Sequence, residues 1–422
     1  MKTTPKIIAP LLKNIPDDWE IKEMWEVTTL LTNGFVGTAT SHYVENGDGI
    51  TYIQGYNVIE GGFNLKGIKK VSKEFHEKNK KSCLKEGDLL TIQTGDVGIT
   101  TIVPKSLEGS NCHALVISRF MPKIIDSRFY FQFFNSILGR RILKKIETGS
   151  TMKHLNVGDM KYLQIPIPPL PEQVEISNIL STWDKAIENT QALLEQKEKR
   201  KKWLMRMLLT GKKRLKGFEK EKWLKGKFSD FVDLLHGHQF RKEDFVPAGI
   251  PVIKIGNVIG YELDLTDLTY VAESRENEFS DVLLKNGDLL MSLTGNIGRV
   301  IEIRNFRGKA FQNYRVGKFV SYDEKVLSRE YLKFLLGSES LLNQFLNMAN
   351  QSAQANFGKQ DMNKLNVTFS KSLEEQNAIA SFLEHIEGEV KLLQLKLGEI
   401  KKQKQGLMQV LLTGKKRLKI KK

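Results

Sequence analysis

Leu208-Leu209-Thr210-Gly211-Lys212-Lys213-Arg214-Leu215-Lys216 returns letter for letter at Leu411-Leu412-Thr413-Gly414-Lys415-Lys416-Arg417-Leu418-Lys419. Further upstream, Leu84-Lys85-Glu86-Gly87-Asp88-Leu89-Leu90 matches Leu284-Lys285-Asn286-Gly287-Asp288-Leu289-Leu290. Thr94-Gly95-Asp96-Val97-Gly98 matches Thr294-Gly295-Asn296-Ile297-Gly298. Asn57-Val58 pairs with Asn257-Val258, Asp159-Met160 with Asp361-Met362, Glu172-Gln173 with Glu375-Gln376, and Trp19 with Trp223. The offset stays near 200 residues and the order never changes, so the chain is a tandem duplication.

Each copy divides into a mixed globular part of about 150 residues, a usual size for one core, and a long helix. Glycine-bounded, β-rich runs predict strands at 50–58, 89–94, 99–103 and 115–120, and again at 252–258, 289–293, 299–303 and 314–320. Ser127 and Ser328 are the expected N-caps of a following helix. Beyond them, Ile176, Leu180, Trp183, Ile187, Thr190, Leu194, Lys197, Lys201, Leu204 and Leu208 step by alternating fours and threes. The second copy gives Ile379, Leu383, Ile386, Val390, Leu393, Leu397, Ile400, Lys404, Leu407 and Leu411. A mean step near 3.5 is a coiled-coil seam. It predicts helices over 172–209 and 375–412, each about 57 Å long. Ser372-Leu373-Glu374-Glu375 has the form of a capping box, Pro171 suits a first helical turn, and Gly211 and Gly414 suit a C-terminal stop. A helix that long overhangs a 150-residue domain, so its seam needs the other helix. The expected fold class is α+β: a duplicated β-rich domain plus a long helix, with the two helices forming an antiparallel coiled coil. The expected boundaries are 1–171, 172–216, 217–374 and 375–422.

Among 422 residues, 65 are lysine or arginine and 49 aspartate or glutamate, a net charge of +16 that points to a polyanionic partner. Residues 195–227 carry +10 and residues 401–422 carry +9, which leaves the rest near neutral. Cys83 and Cys112 are too few for a disulfide framework or a four-thiolate zinc site and are expected to pack as small apolar groups. Ile7 to Leu12 is too short and proline-broken for a secretory segment, and no apolar run reaches a membrane span. A soluble, cytoplasmic protein is expected. The chain lacks a G-x-x-x-x-G-K-[ST] loop, a strand-linked G-x-G-x-x-G and the Asn/Asp-Pro-Pro-aromatic tetrapeptide of amino-methyltransferases. Pro16-Asp17-Asp18-Trp19-Glu20-Ile21-Lys22 only superficially matches a nuclease signature, because its acids are too close together to come from separate strands. His236-Gly237-His238 reads as a polar loop, not a metal site. No catalytic residue and no metal ligand is expected.

Pro168-Pro169-Leu170-Pro171-Glu172-Gln173 leading into the first helix, together with the repeated L-L-T-G-K-K-R-L endings, resembles the specificity subunit of Type I restriction–modification systems from Trp19 to Lys419. The second copy departs at its helix entry, where Phe369-Ser370-Lys371-Ser372-Leu373 replaces the proline-rich stretch. The resemblance implies a non-catalytic, sequence-specific DNA-binding subunit whose two target recognition domains read the halves of a bipartite site. The helices would set the spacer and dock two methyltransferase subunits, with restriction/translocase subunits joining the complex. S-adenosylmethionine, ATP and Mg would sit on those partners, with no cofactor in this chain.

Base reading requires donors and acceptors on groove-facing loops. The candidates are Gln54 and Lys254; Thr94, Asp96, Thr294 and Asn296 around the glycine turns; and Arg299, Gln312, Asn313 and Arg315. Two further polar loops contribute Ser150, Thr151, Lys153 and His154, and Ser352, Gln354 and Asn356. The copies differ at most of these positions, which implies an asymmetric target. The basic helix ends suit either phosphates or acidic partner surfaces. Two rivals remain: a coiled-coil interaction scaffold with no nucleic-acid role, and a divergent DNA-modifying enzyme.

Overall fold

The computed structural model describes residues 9–12, 15–45, 48–149, 153–259, 262–294, 297, 300–304, 306–350 and 357–418. Two helices of 39 residues, Leu170–Leu208 and Leu373–Leu411, dominate the chain, each opening two residues earlier than the seam predicts. Two compact units result, Met1–Ala192 with Leu395–Lys422, and Leu193–Gln394. They divide each long helix near its middle, whereas the repeat suggests boundaries at the helix starts.

In the first unit, a four-stranded antiparallel sheet runs in the order 28–33, 115–120, 89–92, 100–102. A three-stranded sheet of 69–71, 50–53 and 111–112 and a small hairpin, Val58–Ile59 with Gly62–Phe63, lie on its flank. Glu20–Glu23 pairs with Gln164–Ile167, so the strand that opens the head is closed by the strand that feeds the long helix. The second unit repeats this plan. Its four-stranded sheet runs 232–236, 316–321, 289–292, 300–302, a five-stranded sheet replaces the three-stranded one, and Trp223–Lys227 pairs with Asn366–Ser370.

The repeated motifs now have physical roles. In the K-x-G-D turn, Gly87 and Gly287 adopt φ of 84° and 94°, a region where a Cβ is strained. Asp88 accepts from the Lys85 amide at 2.8 Å and from Arg119 Nε and Nη2 at 2.8 and 2.7 Å. Asp288 accepts from the Lys285 amide at 2.9 Å, with Lys318 Nζ 3.6 Å away. Asn57 and Asn257, both buried, accept from the amides of Gln54 and Lys254 and donate to the carbonyls of Asn64 and Asp264. That brace ends the strands at Ile53 and Ile253, earlier than the β-rich runs suggest. The other predicted strands fall within two residues of the observed ones.

Each head is built around both long helices. The first head's core takes Ile176 and Leu180 from the start of its own helix, and Met408, Leu411 and Leu412 from the end of the other. The second head's core takes Ile379, Leu383 and Ile386 from its own helix, and Leu204, Leu208 and Leu209 from the end of the first. Burying one such leucine is worth about 1.5–3 kcal/mol.

Ion pairs give the direction. In the first unit Lys404 meets Asp184 at 2.6 Å and Arg417 meets Glu172 at 2.7 Å. In the second, Lys197 meets Glu389, Lys201 meets Glu387 and Arg214 meets Glu375, at 2.6–2.7 Å. Partner numbers fall as residue numbers rise, so the helices pack antiparallel within each unit. All twenty predicted seam positions are buried or half-buried. Trp183, Ile187, Leu393, Ile400 and Leu407 are the half-buried apolar ones, while Leu194, Leu204, Leu208, Val390, Leu397 and Leu411 are buried.

Two local expectations change. Asp126, not Ser127, caps the first head's helix, its carboxylate accepting from the Arg128 amide at 2.9 Å; Ser328 does cap its counterpart. Only half of the capping box at Ser372 forms. Its hydroxyl accepts from the Glu375 amide, but the Glu375 carboxylate is held by Arg214. A charged guanidinium is a stronger donor than a backbone amide, and it wins. Gly211 and Gly414 end the helices at φ of 70° and 68°. A Cβ on Gly414 would sit 2.3 Å from Pro16 Cγ, so the stop is also a packing requirement.

Candidate nucleic-acid interface

In the first head the glycine turn meets Lys153 and His154 at the end of the polar loop that follows Thr148. Gly95 and Gly98 adopt φ of 86° and 84°, which folds 94–98 tightly and leaves Thr94 and Asp96 exposed. Thr94 Oγ1 and His154 Nδ1 lie 2.8 Å apart, and Thr148 and His154 exchange two backbone hydrogen bonds. Gln93 anchors both segments from beneath, its amide nitrogen donating to the Leu155 carbonyl at 2.9 Å. The geometry therefore brings Thr94, Asp96, Lys153 and His154 to one edge, with Lys153 exposed. Ser150 and Thr151 lie outside the described residues.

Gln54 is held by a partner within its own head. Its side-chain nitrogen donates to the Tyr43 hydroxyl at 2.5 Å, so its amide is engaged within the head. Lys254, its counterpart, places Nζ 4.3 Å from the Phe245 ring centroid.

In the second head Thr294 and Arg315 come together, because the Leu293 amide donates to the Arg315 carbonyl at 3.0 Å. Arg315 is exposed, with its guanidinium 5.3 Å from the Tyr314 ring centroid. Phe357 returns beside them, its backbone amide donating a hydrogen bond to the Leu293 carbonyl at 3.0 Å. Gln312 is 1% exposed, and its side-chain nitrogen donates to the carbonyls of Leu235 and Val316 at 2.8 and 2.7 Å. Asn313 is also buried and accepts from the Arg315 amide. Both are buried instead of facing a groove: Gln312 pairs with Ile253 in the sheet and spends its amide on two carbonyls, and Asn313 closes the turn that follows. Asn296, Arg299, Ser352, Gln354 and Asn356 lie outside the described residues.

The helix ends form a second polar system. Arg417 donates through Nε and Nη2 to Glu172 at 2.7 and 2.8 Å, and through Nη1 and Nη2 to Asp18 at 2.6 and 2.8 Å. Trp19 Nε1 donates to Glu172 at 3.2 Å. Asp18 of the nuclease-like stretch is thus joined to a structural clamp, and the Arg417 hydrogen bonds hold its carboxyl below its ordinary range. In the second unit Arg214 clasps Glu375 with Nε and Nη2, both at 2.6 Å, over the Trp223 ring. The glutamine after each glutamate secures the same joint. Gln173 accepts from the Asp126 amide and donates to the carbonyls of Ile124 and Pro168. Gln376 accepts from the Ser328 amide and donates to those of Val326 and Ser370. Lys212, Lys213, Lys415 and Lys416 stay exposed. In each repeated Lys-Lys-Arg triplet the arginine is therefore spent on an internal clasp, while its two lysines face outward. The signal for this joint, a repeated arginine matched to a repeated glutamate, is present in the sequence.

Among the described residues no group of three or more His, Cys, Asp or Glu side chains could hold a metal ion. No described helix is long and apolar enough to cross a membrane. Cys112 is buried and Cys83 half-buried. His238 packs against the rings of Phe240 and Phe279, with centroids 4.8 and 4.7 Å away.

A family model for the Type I restriction modification DNA specificity domain matches residues 16–199 and again 220–402. The chain is 26% identical over 431 residues to the Type I restriction enzyme MjaVIII specificity subunit of Methanocaldococcus jannaschii, covering 96% of this chain and 94% of that one. It is 24% identical over 298 residues to the EcoKI specificity subunit of Escherichia coli, covering 66% and 62%. In fold it is similar to the crystal structure of a Type I restriction-modification S subunit from M. genitalium, at a TM-score of 0.60, 16% identity and coverage of 94% and 96%. A chain from a structural study of complex assembly and conformational transition in a Type I system gives a TM-score of 0.53 at 15% identity, covering 95% and 99%. This chain belongs to the Type I restriction modification DNA specificity family, whose subunits give the complex its DNA sequence specificity and leave catalysis to partner subunits.

Proposed function

We propose that the chain reads an asymmetric, bipartite sequence on double-stranded DNA, one half per head, and docks two methyltransferase subunits and the restriction/translocase subunits. S-adenosylmethionine, ATP and Mg belong to those partners in this reading. The observation that carries it is the reciprocal joint: each head's core holds the start of one long helix and the end of the other. Two readers coupled in this way engage half-sites at a fixed separation, as dimeric DNA readers do.

The heads share a sheet plan but offer different side chains at the reading edge, Thr94, Asp96, Lys153 and His154 in one and Thr294 with Arg315 in the other. Different donors and acceptors favour different bases, which supports unlike half-sites. The exposed Lys212, Lys213, Lys415 and Lys416 fit either DNA phosphates or acidic faces of the methyltransferases. Loss of salt dependence on their removal distinguishes the first from loss of assembly, which marks the second.

Mapping of methylated adenines in a host carrying this chain with its methyltransferase, against one lacking it, tests the proposal. One gapped, asymmetric motif that appears only with the chain is expected. A continuous motif, or no change, would refute it.

A further inference from the structure

The helix Ile137–Lys145 of the first head reads Ile-Leu-Gly-Arg-Arg-Ile-Leu-Lys-Lys. It buries Gly139, Ile142 and Leu143 and turns Arg141, Lys144 and Lys145 to solvent. Positions three and four apart share a helix face, and like charges so placed repel. None of the three makes an ion pair among the described residues, and the helix itself contains no acid. The macrodipole favours cations in the last turn. That accounts for Lys144 and Lys145, but not for Arg141 a turn earlier on the same face.

The face adjoins the reading edge. A Cβ on Gly98 would stand 3.3 Å from Leu143 Cδ1 and 3.6 Å from Arg140 Nη1, so the glycine turn rests on this helix. The chain then runs from the helix to Thr148, which pairs with His154 beside the exposed Lys153. The second head has the same helix at Glu339–Asn350 with the same serine cap: Ser136 Oγ accepts from the Gly139 amide and Ser338 Oγ from the Leu341 amide. In the register set by those caps, the counterparts of Arg141, Lys144 and Lys145 are Asn343, Leu346 and Asn347. All are exposed and none is charged.

We infer that Arg141, Lys144 and Lys145, continued by Lys153, form a phosphate-binding surface that holds the DNA backbone beside the half-site read by the first head, and that the second head has no equivalent. The inference rests on the DNA-binding reading above. It assigns to one head an electrostatic grip that the other replaces with uncharged contacts.

The test measures affinity of the purified chain–methyltransferase complex for a duplex carrying its mapped site over a series of salt concentrations. Each phosphate contact contributes a slope of about 0.9 in log K against log salt. The variant R141Q/K144Q/K145Q should flatten the slope by about 2 to 3, and R141Q alone by about 1, with the methylated motif unchanged. The variant N343K/L346K/N347K should leave the slope as it is or steepen it. A normal slope in the triple variant overturns the proposal. So does a normal slope with lost methyltransferase assembly, which would give the face to a protein partner. If the wild-type complex binds no specific duplex at all, the reading of the chain as a DNA reader fails first, and this inference with it.

Discussion

Arg417 clasps Glu172 across 245 residues of chain, and the glutamate is 1% exposed. Arg214 and Glu375 repeat the clasp in the second unit, with Glu375 at 0%. A buried carboxylate stripped of its cation is costly, because neither water nor another charge replaces the lost partner. Arg417→Met and Arg214→Met should each destabilise by about 2–4 kcal/mol, below the upper range because both arginines keep some access to solvent. Lys212→Gln and Lys213→Gln should change stability by less than about 0.5 kcal/mol. Urea unfolding of the four variants checks the contrast; equal effects in all four would deny the clamp its role.

Acid should loosen the second unit through Glu387. Burial pushes this carboxyl up, but the hydrogen bond and charge of Lys201, with Lys333 at 2.8 Å, outweigh it and hold the group below its ordinary range. A lowered folded value means that the stabilisation is complete above the unfolded value, about 4.3, and is lost as pH falls through the folded one. Denaturation midpoints should therefore decline below about pH 4, and Glu387→Gln should flatten that decline while lowering the plateau at neutral pH. A variant with the wild-type acid slope would assign the loss to other groups.

Arg315 and Gln312 lie three residues apart and should fail in different ways. Arg315 is exposed at the edge, so Arg315→Ala should relax one base position of one half-site by about 1–3 kcal/mol and leave folding intact. Gln312→Ala should instead leave two backbone carbonyls short of a donor and destabilise the second head by about 1–3 kcal/mol. Methylation maps beside thermal melts separate the two. Unchanged motif fidelity in Arg315→Ala would remove that residue from the reading set.

Spacer length should follow helix length. Four residues inserted into one long helix add up to about 6 Å of rise, one or two base pairs at about 3.4 Å each. The methylated motif should gain spacer bases and keep both half-sites. Altered half-sites with an unchanged gap would count against the helices as a measure.

Much of the fold was legible because duplication repeats a signal. A single glycine stop or Glu-Gln pair means little, whereas the same pair twice at one offset marks a joint. The seam was equally readable, since a coiled-coil face is a local periodicity and burial at Leu194 or Leu397 follows from it. The reading edge was legible only in part. Thr94 and His154 are sixty residues apart, and nothing local announces their hydrogen bond. Gln312 and Arg315 look alike as polar groups on one loop. Only the fold shows that Gln312 ends a strand and is buried, while Arg315 sits in the turn before the next strand and is exposed.

The sequence by itself determined the duplication, the two long helices with their stops, the lack of the nucleotide-binding motifs sought, and the family resemblance. All are properties of residue order and local spacing. Tertiary structure decided where the charges go. It took Arg214 and Arg417 out of the basic tails and closed them onto Glu375 and Glu172, halved the capping box at Ser372, and left Arg141, Lys144 and Lys145 facing out. A charge settles where an opposite partner lowers its free energy by more than burial raises it. Both are supplied by segments distant in the chain, so residue spacing alone cannot place it.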